Sequence, residues 1–187
     1  MSRKEFAFCI TAIVYFIACL FGSTAVSSSI AQYIGTYGWS TFNAWSMAIG
    51  GVFSVVVLVL MIWRFVLQLP AWYEIVIFFA GALPTAYVLY NFVLLTTELV
   101  HLPQFMILTV LWMYAFPRHL SLGILASIIC CIGDEWAQSF MPGRVLDVND
   151  IFLNFIGMFF GLVLWWVLSA FRIHEQNEVI QIIYGDV

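Results

Sequence analysis

Long apolar runs, separated by short polar or proline-containing stretches, dominate the pattern of this chain. A run of about 18 or more apolar residues is typical of a membrane-spanning helix, because a hydrocarbon core of about 30 Å requires about 20 helical residues. The pattern predicts about six spans, at residues 6–21, 44–67, 72–95, 103–116, 120–138 and 148–171. Residues 22–43, which carry Ser, Thr and Gly but no charge, are predicted to form an external loop, and the tail at 172–187 is left unassigned.

The composition agrees with a membrane location. Of the 187 residues, 64% are hydrophobic and 9% are charged, and the mean hydropathy is +1.04. Soluble domains carry about 25% charged residues. We therefore predict an all-α, polytopic transmembrane helix bundle in the lipid bilayer, with residues 1–187 forming a single domain. The chain has no basic tract, so nucleic acid is not an expected partner.

The basic residues indicate the orientation of the predicted bundle. Six crossings place both termini on the same side of the membrane. If that side is the cytoplasm, five of the six Lys and Arg residues lie inside, as the positive-inside rule requires: Arg3, Lys4, Arg64, Arg118 and Arg172. Arg144 alone lies outside, within the most polar stretch of the chain.

That polar stretch, residues 134–154, holds five of the sixteen charged side chains: Asp134, Glu135, Arg144, Asp147 and Asp150. A charged residue costs about 2.5–3.5 kcal/mol at the centre of a bilayer, so this cluster is either structurally or functionally required. Residues three or four apart share a helix face. Three polar pairs have this spacing, namely Glu98 with His101, Asp134 with Gln138, and Asp150 with Asn154.

Two glycines continue the face of the last polar pair. Gly157 and Gly161 form a G-x-x-x-G motif, which lets another helix approach closely. Because offsets of three and four stay on one side of a helix, the motif and Asn154 share a stripe. We expect close helix packing here, and a membrane protein partner through Gly157 and Gly161 is a further expectation.

The order and spacing of these polar residues resemble the signature of the VanZ-like membrane protein family. The matching residues are Glu98, His101, Asp134, Glu135, Gln138, Phe140, Pro142, Gly143, Arg144, Asp150, Asn154 and Gly157, and the similarity is strongest across residues 96–165. The resemblance implies a multi-pass protein of the bacterial cytoplasmic membrane with a role at the cell surface. The family's namesake is linked to resistance to the glycopeptide antibiotic teicoplanin. Many relatives have four spans, so the two spans predicted between residues 44 and 95 are a departure.

The favoured interpretation is an outward-facing polar pocket for an amphiphilic cell-envelope ligand. Such a ligand is a lipid head group, a lipid-linked cell-wall intermediate or a lipoglycopeptide such as teicoplanin. Arg144 suits a phosphate or carboxylate, which a guanidinium binds through two parallel hydrogen bonds. His101 is the candidate acid or base, with Glu98 or Asp134 to orient it. The remaining expected ligand-binding residues are Glu135, Gln138, Asp150 and Asn154. No motif decides whether a reaction is catalysed.

Two other interpretations stay open. In the first, the chain is a non-catalytic accessory subunit and the cluster is a structural clasp, in which Arg144 pairs with Asp134, Glu135 or Asp150. In the second, carboxylates and an imidazole hold a metal ion, the ligands being drawn from Glu98, His101, Asp134, Glu135 and Asp150. Glu-x-x-His occurs once, whereas di-iron bundles use it twice, so we predict no metal and no cofactor. A pocket should be concave with unpaired polar atoms, whereas a clasp should be closed and fully hydrogen-bonded.

Overall fold

The structure is a computed structural model that describes residues 1–42, 44, 45, 59, 62, 63, 75, 79, 100–141, 144 and 146–184. All regular secondary structure within these ranges is helical, which confirms the all-α part of the predicted fold class. The long helices are α1 at Arg3–Tyr37, α2 at His101–Ala115, α3 at Leu120–Gln138 and α4 at Val148–Tyr184. The predicted spans at 44–67 and 72–95, and Glu98, lie outside the described residues apart from isolated positions.

Three helical segments within the described part of the chain are long and apolar enough to cross a membrane. They are Arg3–Gly22, Leu120–Gln138 and Val148–Ser169, and they correspond to the first, fifth and sixth predicted spans. The fourth predicted span is α2, whose 15 residues extend only about 22 Å at 1.5 Å per residue. The number of crossings therefore stays a prediction.

The predicted external loop at residues 22–43 is wrong for most of its length. Helix α1 continues to Tyr37 and ends at Gly38, whose positive φ of 83° suits a residue without Cβ. Residues 22–43 contain no proline that would break a helix. Their Ser and Thr hydroxyls can donate to carbonyls of the preceding helical turn, so these residues are compatible with a helix. Thr36 does so, because its Oγ1 donates to the Gln32 carbonyl at 2.9 Å.

The unassigned tail is also largely helical. Helix α4 continues past the predicted end of the last span to Tyr184. Arg172 lies 24 residues beyond Val148, or about 36 Å along the helix axis. It is therefore at the opposite end of α4 from the polar stretch.

The directions of the helices bring the polar residues to one end of the bundle. Phe8 near the start of α1 stacks on Tyr114 near the end of α2, with ring centroids 5.2 Å apart. The turn between α2 and α3 is tight, since the His119 amide donates to the Phe116 carbonyl at 3.0 Å. Because successive helices reverse direction, the starts of α2 and α4 lie beside the end of α3. Arg3, Lys4 and Arg118 occupy the other end.

Helix α3 shows why the polar residues face inward. The large apolar side chains of one face are exposed and recur every three or four residues: Leu122, Leu125, Ile129, Ile132 and Trp136. The opposite face is buried and carries the small or polar residues Gly123, Ser127, Cys130, Cys131, Asp134 and Gln138. The exposed surface of α3 is therefore apolar, and the Asp134 carboxylate points into the bundle.

The predicted close packing at the G-x-x-x-G motif is made by α2 of the same chain. A Cβ added at Gly157 would lie 2.7 Å from the Leu102 carbonyl oxygen, and one at Gly161 would lie 2.6 Å from the Met106 carbonyl oxygen. Such distances are shorter than van der Waals contact, so only glycine permits this approach. A protein partner at these glycines stays a prediction.

Candidate functional site

His101 opens helix α2 at the polar end of the bundle. Pro103 lies in the first turn of that helix, where its missing N–H costs no intrahelical hydrogen bond. The close approach at Gly157 brings the backbone of His101 to within 3.0 Å of the position of an added Cβ on α4. His101 is 6% exposed, so its ring is held between helices rather than in solvent.

An amide links three helices through the imidazole. Asn154 Oδ1 lies 2.8 Å from His101 Nδ1, and Asn154 Nδ2 donates to the Cys131 carbonyl at 3.0 Å. Because the amide nitrogen faces a carbonyl, the amide oxygen faces the imidazole and must accept from Nδ1–H. This network assigns a neutral His101 the tautomer with its proton on Nδ1, and it leaves the lone pair on Nε2.

Two carboxylates flank the imidazole without reaching hydrogen-bond distance. Asp134 Oδ2 lies 3.8 Å from His101 Nδ1, and Asp150 Oδ2 lies 3.7 Å from Nε2. The predicted pair on α3 is confirmed as a contact, since Gln138 Nε2 donates to Asp134 Oδ2 at 2.9 Å. Asn154, rather than Asp134, is thus the residue that orients His101 among those the structure describes.

Glu135 and Asp147 fasten the connection between α3 and α4. The Asp147 amide donates to Glu135 Oε2 at 3.1 Å, and Asp147 Oδ1 accepts from the Asn149 amide at 2.8 Å. Asp147 therefore caps the start of α4. Asp150 lies within the first helical turn instead, which leaves its carboxylate available to the cluster.

Arg144 lies in this connection and is half-buried. Its amide donates to the Met141 carbonyl at 3.2 Å, as in a β-turn. Within the part of the chain that is described, no acidic group lies within 4.0 Å of its guanidinium. The pairing expected for a clasp is therefore not formed by the described acids.

The cluster is closed rather than concave. Its buried members are at most 9% exposed: His101, Gln104, Asp134, Glu135, Gln138, Asp150 and Asn154. Two surface hollows formed by described residues lie elsewhere, one lined by Ser40, Thr41, Ala44 and Trp45, and the other at the opposite end beside Arg118. Neither hollow lies between α2, α3 and α4.

The cluster is also incompletely hydrogen-bonded. One oxygen of each buried carboxylate finds no hydrogen-bond partner among the described residues, namely Asp134 Oδ1, Glu135 Oε1 and Asp150 Oδ1. Buried polar atoms are ordinarily satisfied, because an unmet hydrogen bond costs about 1–3 kcal/mol. The geometry thus combines the closure expected of a clasp with the unpaired atoms expected of a binding site.

No specific role was predicted from the sequence for three contributors to this cluster. The Cys131 carbonyl carried no sequence signal, because a backbone acceptor is invisible in residue types. Asp147 had a signal, since an Asp just before an apolar helix is a preferred N-cap. Gln104 is three residues after His101 and so shares its face; it is buried, and its Nε2 has no partner within the described ranges.

Comparison with known proteins places these residues in a family. A family model described as VanZ/LLP1 matches residues 6–169. No curated protein and no solved structure matches the chain. The match starts in α1 and ends in α4, so it extends well beyond the 96–165 stretch in which the sequence resemblance was strongest.

Proposed function

The chain belongs to the VanZ/LLP1 family, and from that premise we propose that it binds an amphiphilic cell-envelope ligand at the polar end of its bundle. The ligand class is a lipid head group, a lipid-linked cell-wall intermediate or a lipoglycopeptide such as teicoplanin. All of these join an apolar anchor to a group that carries phosphate or carboxylate. In this proposal Arg144 binds the anionic group, and the buried cluster beneath it forms the floor of the site.

The observation that carries the proposal is that Arg144 is half-buried but forms no ion pair with a described acid. A half-buried guanidinium without a described acid within 4.0 Å retains its capacity for two parallel hydrogen bonds to an oxyanion. Among the described residues, the buried acids and amides lie at the Arg144 end of the bundle, and Arg3, Lys4 and Arg118 lie at the other end. An anionic ligand would complete a pairing that the described residues leave unmade.

The surroundings of Arg144 suit a ligand with an apolar anchor. Large apolar side chains at the end of α3, in the connection and at the start of α4 are exposed: Trp136, Phe140, Leu146, Val148 and Phe152. Trp136 and Phe140 pack edge to face with centroids 5.3 Å apart. Aromatic residues favour the membrane–water interface, where the apolar part of the ligand would lie beside them.

The other predicted residues take supporting roles in this proposal. His101 is the proton donor or acceptor nearest the acids, and Asn154 orients it. Glu135 holds the Arg144-containing connection to α3 through the Asp147 amide. Gln138, Asp134 and Asp150 complete the polar floor.

The rival function is that of an accessory subunit in a membrane complex, with the cluster serving only to hold the helices together. The bonds joining α2, α3 and α4 through Asn154 favour it. Arg144, which pairs with none of the described acids, does not contribute to those bonds. Its removal therefore separates the two functions.

The proposal places the polar end outside the bacterial cytoplasmic membrane, with both termini in the cytoplasm. Ser139, just beyond α3, tests this orientation. In intact cells, Ser139→Cys is expected to react with a membrane-impermeant maleimide, whereas Arg118→Cys at the opposite end is expected to react only after permeabilisation. Labelling of position 139 only after permeabilisation would overturn the orientation.

Ligand binding is tested on purified protein in nanodiscs, with teicoplanin and a short-chain phosphatidic acid as the two probes. Arg144→Ala is expected to weaken binding of at least one probe about 10- to 100-fold, since a charge-assisted hydrogen bond contributes about 1.5–3 kcal/mol. Arg118→Ala is the matched control, because it removes an exposed arginine from the opposite end. Equal affinities in wild type and both variants would count against the proposal.

A further inference from the structure

We propose that His101, Glu135 and Asp150 bind a divalent cation at the polar end of the bundle. Each residue offers one ligand atom, and the three atoms lie within 4.8 Å of one another. All three side chains are buried. They come from the start of α2, the end of α3 and the start of α4, so the fold rather than a local motif brings them together.

The distances suit one ion between the three residues. Oxygen and nitrogen ligands lie about 2.0–2.2 Å from a zinc ion, so two ligands in tetrahedral geometry are about 3.4 Å apart. His101 Nε2 and Asp150 Oδ2 are 3.7 Å apart, which exceeds a hydrogen bond but is close to this separation. Movements of less than about 1 Å would bring the full set to coordination distance.

The orientation of His101 is the one that coordination requires. A metal-binding histidine ordinarily donates its other ring N–H to an oxygen acceptor, which fixes the ring and its tautomer. Asn154 Oδ1 is that acceptor, at 2.8 Å from Nδ1. The lone pair of Nε2 therefore faces the Asp150 carboxylate. Two electron-rich groups at this distance repel each other unless a proton or a cation lies between them.

The unpaired carboxylate oxygens point to the same conclusion independently. Glu135 is 1% exposed and Asp150 is 7% exposed, yet Glu135 Oε1 and Asp150 Oδ1 have no hydrogen-bond partner in the described part of the chain. Burying carboxylates without partners is costly, and metal coordination is one of the few arrangements that satisfy them. Glu135 Oε2 keeps its bond from the Asp147 amide, which leaves Oε1 for the ion.

The donor set indicates which ions bind. One imidazole and two carboxylates suit Mn²⁺ or Zn²⁺ better than Ca²⁺ or Mg²⁺, which prefer oxygen ligands throughout. The sequence disfavoured a metal because Glu-x-x-His occurs once. The set assembled here does not depend on that motif, because Glu135 and Asp150 supply its two carboxylates. The inference deepens the proposed function and rests on it for its role: the cation would add a second positive group, beside Arg144, for a phosphate or carboxylate.

The test is Mn²⁺ binding by the full chain in detergent. The protein is purified through an affinity tag that contains no histidine, so that the tag itself does not bind the ion. Free Mn²⁺ gives a six-line electron paramagnetic resonance spectrum that is lost on binding, and pulsed measurements detect nitrogen from a coordinated imidazole. Wild-type protein is expected to bind one Mn²⁺ per chain with a nitrogen signal, and Zn²⁺ is expected to displace it. Absence of binding at about 1 mM Mn²⁺, the range of weak cation sites, or binding without the nitrogen signal, would overturn the inference.

Acid-to-amide variants show whether particular carboxylates coordinate Mn²⁺ or whether the negative charge of the cluster merely attracts the ion. Glu135→Gln and Asp150→Asn are each expected to weaken Mn²⁺ binding more than about 100-fold, beyond the effect usual for outer partners. Asp134→Asn removes a negative charge from the same buried cluster without removing a ligand, and it is expected to weaken Mn²⁺ binding less than either of the other two variants. Equal losses in all three variants would overturn the inference, as would unchanged binding in the first two.

Separate experiments test the cation site and the proposed function, so either one can be overturned without the other. Cation binding is measured without any amphiphile, and Arg144→Ala is expected to retain its Mn²⁺. Arg144-dependent binding of teicoplanin or phosphatidic acid without any Mn²⁺ site would overturn only the cation site. A Mn²⁺ site without amphiphile binding would overturn only the proposed function.

Discussion

Leucine in place of Gly161 is expected to destabilise the bundle by about 3 kcal/mol, at the upper end of the usual cost of overpacking. A Cβ at this position would already lie 2.6 Å from the Met106 carbonyl oxygen and 2.7 Å from Thr109 Cβ. The first of these atoms belongs to the backbone of α2 and cannot rotate away. Helix α2 must therefore move as a whole, which would also draw His101 away from Asn154. Melting of the purified variant in detergent measures the effect.

Gly133→Leu is the matched control for this substitution. A Cβ at Gly133 has no neighbour within 4 Å among the described atoms. The same side chain is therefore accommodated on α3 without displacing another helix, and the melting temperature is expected to stay close to that of wild type. Equal melting temperatures for the two leucine variants would contradict the tight packing of α2 against α4.

Helix α3 was predictable to its ends because the local signals agree. Pro117 and the following turn stop the preceding helix, the apolar run begins at Leu120, and the polar turn residues follow Gln138. Residues 22–43 were not predictable by the same reasoning. Ser and Thr favour loops in general, but within a long helix they bond to the preceding turn, so composition alone assigned these residues wrongly.

The candidate site shows a similar division. Helical spacing correctly placed Asp134 with Gln138, and Asp150 with Asn154, on inward faces. Spacing within one helix does not say which residue of a neighbouring helix each will meet. The choice of Asn154 rather than Asp134 as the partner of His101 depends on the rotation and close approach of α2 and α4. Gly157 and Gly161 set that approach. The sequence indicated that they form a packing surface, but it did not indicate that α2 packs against them.

At Arg144, the contacts in the structure differ from those that the sequence suggested, and the difference bears on whether the cluster is a clasp or a binding site. Opposite charges within a few residues of each other suggested an ion pair, and a pair would have made the cluster a clasp. The described acids instead bond to amides or retain unpaired oxygens. A residue that contributes no described ion pair is not expected to hold the fold together.

Replacing Arg144 by alanine is therefore expected to abolish function while leaving the protein folded. In susceptible cells, expression of wild-type protein is expected to raise the teicoplanin concentration needed to stop growth, and Arg144→Ala is expected to remove that protection. Arg118→Ala, which removes an exposed arginine at the other end, is expected to protect as well as wild type. Membrane levels of the three proteins must be equal for the comparison to hold.

The melting temperature of purified Arg144→Ala, set beside its activity in that assay, decides between a binding site and a structural clasp. A binding site predicts lost protection with a melting temperature close to that of wild type, because Arg144 makes no ion pair with a described acid whose loss would destabilise the fold. A large fall in melting temperature, or loss of folded protein, would contradict the account and show that Arg144 holds the bundle together.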